Sequence, residues 1–379
     1  MSDHLYVRTP LTPSPTLSQI AGCNIFLKLE NFQPSGSFKY RGISHLMQHS
    51  LRHSPSPANT NTNTNTHFYC SSGGNAGIAC AKAAKSMDLP ATVVVPTTTS
   101  EFLVSKVREL GAEVYQIGGN WTEADAFLKT DLLANDPNGF YVPPFDNPVI
   151  WQGASSMFEE VYEQMGDEGF DGVVCSVGGG SLLTGIQTAI QRHPESARPR
   201  VLAVETKGAD SLNASLREGR HVTLPRITSI ATSLGIVRVA ERAYELAQED
   251  NVSSIVLSDA EAAMGSVRFA DDEDLLVEVS CGAALAAVYN GDLRRTLGAG
   301  MDDEKWGEMR VVVAVCGGSD VSETLFKEYR EKYSAEATSM ISNAVPTKEL
   351  SVGNNVEARV ALGFELGNCL RKGAVPLRM

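Results

Sequence analysis

Short apolar runs without polar alternation recur along the chain, separated by longer stretches with helical spacing. The runs are Ile25–Leu29, Thr92–Val95, Val173–Val177, Val201–Val204 and Val311–Val315. Continuous apolar runs of this length suit parallel strands covered on both faces. Helices are predicted over Ala76–Lys85, Ser100–Leu110, Glu123–Leu133, Ser155–Met165, Leu182–Arg192, Ala240–Gln248 and Ala283–Tyr289. Strand–helix alternation predicts an α/β protein with open, twisted, mostly parallel sheets and helices on both faces. At roughly 150 residues per domain, 379 residues make two or three domains.

Two segments break the pattern. Residues 54–66, an Asn/Thr repeat preceded by Ser-Pro-Ser-Pro, have nothing to bury and are expected to form a surface loop. Residues 334–379 contain no comparable apolar run, and only Ala358–Leu366 has helical spacing, so they are expected to be an appended tail.

Composition narrows the function. Apolar residues make up 42% and charged residues 20%, as in ordinary globular domains. A formal charge of −13 argues against a general nucleic-acid binder, which needs basic surface to neutralise phosphates. The start of the chain has no signal-like apolar run, and no stretch approaches the ~20 apolar residues of a membrane span. Seven scattered cysteines without a Cys-x-x-Cys pair fit a reducing compartment, so a cytoplasmic location is expected.

Four motifs could carry chemistry. In Pro34-Ser-Gly-Ser-Phe-Lys39-Tyr-Arg-Gly42, a lysine stands among turn-forming residues with an aromatic on each side. Desolvation there would lower the lysine pKa and free its amine as a nucleophile. In Cys70-Ser-Ser-Gly-Gly-Asn-Ala-Gly77, small residues expose backbone N–H groups at a helix start, where an anion binds well. A tight turn with a Ser or Asn cap accounts for the same residues. In Ser176-Val-Gly-Gly-Gly-Ser-Leu182, a buried strand enters a glycine loop and then a helix, the arrangement of a phosphate cradle. Leu183 occupies the third glycine position of a dinucleotide fingerprint, so a single phosphate fits better. Cys316-Gly-Gly-Ser319 follows a strand end, where α/β sheets bind ligands, although a buried structural cysteine explains it equally.

Other clusters read as structural. His45, His49 and His53 share one helix face but lack a partnering glutamate, so they are taken as a solvated face. Asp271-Asp-Glu-Asp and Asp302-Asp-Glu are expected to be solvated helix starts or turns.

Together the four motifs ask for one ligand with a single phosphate, an aldehyde that condenses with a lysine, and a ring atom facing a thiol. Pyridoxal 5′-phosphate meets all three demands. With these motifs the chain resembles the fold-type II pyridoxal-phosphate enzymes (tryptophan-synthase β-subunit-like), and among them the catabolic L-serine dehydratase/L-threonine deaminase family. The matching stretches include Thr9-Pro-Leu11, Lys28-Leu-Glu30, Gln33-Pro-Ser-Gly-Ser-Phe-Lys39, Ser71–Gly77 and Val142–Pro148. Further on come Ser176–Gly180, Leu224–Ser229, Cys281–Tyr289 and Cys316–Ser319. Residues 5–330 are covered.

The resemblance implies roles by position. Lys39 matches the Schiff-base lysine that also moves the Cα proton, and Phe38 packs on the ring. Asn75 matches the partner of the cofactor 3′-oxygen, and Ser72, Gly73, Gly74 and Asn75 match the substrate-carboxylate loop. Gly178, Gly179, Gly180, Ser181 and Leu182 match the phosphate loop, and Cys316 the residue facing the pyridine nitrogen. Glu205, Ala209, Leu234 and Ile236 resemble the surroundings of a bound monovalent cation, for which potassium is the candidate. The implied reaction is β-elimination of L-serine to pyruvate and ammonia, and of L-threonine to 2-oxobutyrate. The implied architecture is a large domain of 1–33 and 141–333, a small domain of 34–140, and an extension over 334–379, in a homodimer. Threonine deamination as the main reaction, serine racemisation, and cofactor binding without turnover are the alternatives. Related racemases carry a serine at the position of Gly73, where its hydroxyl can reprotonate the opposite face.

Overall fold

The computed structural model describes residues 4–53 and 65–344. Two sheets organise the chain. The larger has six strands, β1 (Leu11–Pro13), β2 (Asn24–Leu29), β7 (Gly172–Ser176), β8 (Arg200–Thr206), β9 (Val252–Leu257) and β10 (Arg310–Val315), in the order β1-β2-β10-β7-β8-β9. The smaller has β3 (His67–Cys70), β4 (Ala91–Val95), β5 (Glu113–Gln116) and β6 (Gly139–Tyr141), in the order β5-β4-β3-β6. Every pairing is parallel except β1 with β2. The expected mostly parallel α/β architecture is thus observed.

All five predicted strands are present within a residue or two of their expected ends. The missed strands are β3 and four that lie at sheet edges: β1, β9, β5 and β6. An edge strand has one unpaired side and needs no continuous apolar run. β9 carries Ser253 and Ser254, and β5 reads Glu-Val-Tyr-Gln.

Helices connect the sheets. The chain leaves the large sheet through the Lys39–His53 helix and returns through Pro148–Met165, started by Asn147 as cap and Pro148 at its first position. The predicted helix over 123–133 is observed as Trp121–Phe127, followed by a wider turn over Leu128–Leu132 and a tighter one over Leu133–Asn135. Asp259–Glu273 was not anticipated, although Ser258 and Glu261 form a reciprocal cap at its start. Asp271-Asp-Glu-Asp is solvated as expected, but lies at the C-terminal end of this helix and its turn, not at a helix start. Asp274 takes the left-handed conformation (φ 55°), Asp271 pairs with Arg330, and Asp272 accepts the Tyr289 hydroxyl at 2.9 Å. Asp302 does cap a helix, accepting the Lys305 N–H at 2.8 Å.

The helix Glu323–Ala344 runs across position 334, with Tyr333 and Ala337 buried. Ala358–Leu366 and most of the Asn/Thr repeat lie outside the described residues. The His49 and His53 rings stack 4.0 Å apart, and no metal-competent cluster is found among the described residues.

A buried ionic cluster fixes the Lys39–His53 helix. The Arg41 guanidinium bonds Glu30 at 2.7 Å and Glu160 at 2.7 Å, and Lys28 bonds Glu160 at 2.6 Å. Arg41, Lys28 and Glu30 are fully buried. The cluster joins this helix to β2 and to the Pro148–Met165 helix, two residues from Lys39.

Candidate active site

The four motifs meet at one cavity of about 570 Å³ between the sheets. Its walls come from strand ends and helix starts, where α/β folds expose free backbone groups.

Lys39 opens its helix from the cavity wall. Its loop is stitched to the Cys316 loop: the Phe38 N–H donates to Cys316 O at 3.1 Å, and the Gly318 N–H to Gly36 O at 2.9 Å. Lys39 Nζ donates to Pro144 O at 2.9 Å and Ser181 Oγ at 3.4 Å. The Phe38 and Phe145 ring centroids lie 5.4 and 5.8 Å from it. Burial lowers its pKa to about 8, against the smaller opposing pull of Cys70, Cys316 and Glu278. A far larger share of this amine is therefore neutral near pH 7 than of a solvated lysine.

Two helix starts face the cavity without a side-chain cap. The Ser181–Ile190 helix begins at Gly180, whose φ of 91° favours glycine. Among the described residues, the N–H groups of Gly178 to Leu182 donate to no protein acceptor. The loop is also closely packed. A Cβ at Gly178 would lie 2.8 Å from Ser233 O, and one at Gly179 would overlap the Phe145 ring. The second helix, Asn75–Ser86, begins at Gly74. Ser72 Oγ accepts the Gly74 N–H at 3.4 Å, and Trp121 Nε1 holds Ser71 O at 2.8 Å. A Cβ on Gly73 would sit 2.7 Å from Thr99 Cγ2. Backbone N–H groups and the helix dipole make each of these starts chemically suited to an anion.

Cys316 is buried at the cavity floor, with Sγ 3.5 Å from Ser176 Oγ. Burial and the Cys316 thiol raise the pKa of the neighbouring Cys281.

The residues expected to surround a cation divide between the cavity wall and the interior. Leu234 and Ile236 line the cavity, while Glu205 and Ala209 do not. Glu205 is fully buried and accepts the N–H groups of Leu212 at 2.9 Å and Asn213 at 2.7 Å. Burial pushes its pKa up to about 8.

Motif reasoning missed Glu278. It lines the cavity, 6% exposed, and bonds Asn75 Nδ2 at 2.9 Å. Burial raises its pKa to about 7. It stands alone in the apolar run Leu275-Leu-Val-Glu-Val, and that isolation was the available signal. Phe145, Thr99 and Trp121 were likewise unassigned.

The site fits pyridoxal phosphate. The free N–H row after β7 suits one phosphate, the desolvated Lys39 amine suits an aldehyde, and the uncapped loop at Gly74 suits a substrate carboxylate. Residues 3–317 match the family described as "Pyridoxal-phosphate dependent enzyme". The chain is similar to the L-serine dehydratase/L-threonine deaminase of Bos taurus, 42% identical over 318 residues, covering 84% of this chain and 93% of the relative. It is similar to the L-serine dehydratase of Saccharomyces cerevisiae (strain AWRI1631), 38% identical over 323 residues, covering 83% and 94%. Among solved structures, a fungal L-serine ammonia-lyase from Rhizomucor miehei superposes with TM-score 0.78 at 36% identity, covering 87% of this chain and 99% of that one. The chain thus belongs to the pyridoxal-phosphate-dependent enzymes, and within them to the L-serine dehydratase/L-threonine deaminase family.

Proposed function

We propose that this protein is an L-serine ammonia-lyase that also acts on L-threonine, with Lys39 as its cofactor anchor and Cα base. The observation that carries this reading is the placement of one desolvated lysine amine in the same cavity as two uncapped helix starts. The relatives named for serine dehydration support the substrate.

When bound, pyridoxal phosphate supplies an aldehyde that captures amines and a ring that accepts electron density from the substrate Cα. The chain's own residues do the rest. The N–H groups of Gly178, Gly179, Gly180, Ser181 and Leu182 bind the phosphate. Ser72, Gly73, Gly74 and Asn75 hold the substrate carboxylate and orient the Cα–H bond toward Lys39. The Lys39 amine takes that proton as general base, for which a pKa of about 8 is well placed. Phe38 and Phe145 shield the amine from water. Cys316 is the residue that would stand at the ring nitrogen, a thiol in place of a carboxylate. Gly73 offers no hydroxyl for the opposite face of Cα, which disfavours racemisation.

A monovalent cation, potassium in this reading, is held by Glu205 with the backbone of Ala209, Leu234 and Ile236. It would keep ionised a carboxyl that burial otherwise protonates. Replacing potassium by lithium should then lower turnover, and Glu205→Gln should remove the difference. The enzyme works in the cytoplasm as a homodimer. The six described cysteines are all free, as a reducing compartment requires, and no described helix is long and apolar enough to cross a membrane.

The direct test is 2-oxo acid release by the purified protein with pyridoxal phosphate, potassium and L-serine. Steady pyruvate formation supports the reading. A protein that binds cofactor and releases none from serine or threonine contradicts it.

A further inference from the structure

The Asn75 side chain is held by three protein groups. Its Nδ2 donates to Glu278 Oε1 at 2.9 Å and to Ser233 Oγ at 3.3 Å, and its Oδ1 accepts the Ser319 N–H at 3.1 Å. Asn75 begins a helix packed on the small sheet, whereas all three partners belong to segments of the large one. The carboxylate accepts and the backbone N–H only donates. These two contacts therefore decide which end of the amide carries oxygen.

Glu278 has no ion-pair partner among the described residues. Asn75, Ser233 and the Asp320 N–H hold it, with Lys39, Lys106, Asp320, Cys281 and Tyr329 as the titratable groups facing it. The fold makes room for it. Gly318 has φ 127°, and a Cβ there would overlap the Glu278 carboxyl. Burying a carboxyl on neutral donors alone is costly, so its place is informative.

We propose that Glu278 is a positioning residue, whose carboxyl clamps the Asn75 amide so that Asn75 meets the cofactor's ring oxygen in one orientation. The shorter bond to Glu278 fixes one Nδ2 hydrogen, and the planarity of the amide then fixes the direction of the other, which makes only the longer contact to Ser233 and is the one left for the cofactor's ring oxygen. This rests on the reading of Asn75 as a cofactor contact.

The test compares holoenzyme of wild type, Asn75→Ala, Glu278→Ala and the double variant, reading the bound cofactor's absorption band and its dissociation constant. The clamp predicts that both single variants move the band the same way. Each weakens binding about tenfold, as expected for one lost hydrogen-bond partner. The double variant is no worse than the weaker single one, because the two act as a unit. Glu278→Gln, which keeps an acceptor oxygen, recovers most of the loss, whereas the shorter Glu278→Asp does not. These two carry the test if Glu278→Ala does not fold. Additive losses, an unmoved band in Glu278→Ala, or recovery by Asp but not Gln would overturn the clamp. If Asn75→Ala itself leaves the band unmoved, the assignment of Asn75 fails, and the clamp with it.

Discussion

The Lys39 amine is set apart from a surface lysine by its surroundings. Flanking aromatics and a tight turn anticipated desolvation, and burial lowers the amine pKa from 10.5 to about 8. The sign follows from linkage. Between these values the unfolded chain binds more protons than the folded one. The lysine's burial penalty is thus complete below pH 8 and is relieved as pH rises toward 10.5. The same shift governs reactivity, since only the neutral amine is nucleophilic. Cofactor capture by apoprotein, followed by absorption, should accelerate with pH and level off above about 8. A rate still climbing toward the ordinary lysine value of about 10.4 would show that the amine is solvated. Gly73 makes a second prediction at this scale. Gly73→Ser should raise the ratio of D-serine to pyruvate formed from L-serine, read by chiral chromatography. Because a Cβ there meets Thr99 at 2.7 Å, total turnover should also fall, and Thr99→Ala should restore part of it. No change in the ratio would remove Gly73 from the control of reaction type. Glu278 was hard to find from sequence because the Asn75 amide it bonds is more than 200 residues away in the chain.

Among the elements, central strands were legible because burial on both faces leaves only apolar residues, as in Val311–Val315. Edge strands were not, since solvent on one side admits Ser253 or Glu113 without penalty. The helix Val279–Tyr289 is buried all round and has no amphipathic stripe, so only its C-terminal part was anticipated. The long-range ionic cluster was also out of reach, because nothing local pairs Arg41 with Glu160. That cluster holds the helix on which Lys39 sits. Removing one partner of a buried ion pair strands the others, so Arg41→Leu should cost about 3–5 kcal/mol in chemical denaturation. Arg41→Lys should recover only part, because a single ammonium cannot reach both carboxylates as the guanidinium fork does. A loss below about 1 kcal/mol would mean the cluster is relaxed by water.

For the whole molecule, the chain builds part of one sheet, crosses to complete the other, and returns. The site lies where the two crossings place strand ends opposite each other. This is why motifs near residues 39, 75, 178 and 316 converge. Their order along the chain was visible, while the geometry of their meeting needed the three-dimensional fold. The proposed homodimer should appear in light scattering at twice 40.6 kDa. A protein monomeric at working concentration that still turned over serine would show that assembly is dispensable. In the proposed mechanism one lysine carries the cofactor chemistry. Its most direct test is borohydride reduction of the holoenzyme, followed by peptide mapping by mass spectrometry. The cofactor's mass should appear on the peptide containing Lys39 and be absent from those containing Lys28 and Lys106. Label on another lysine, with the Lys39 peptide unmodified, would contradict the assignment.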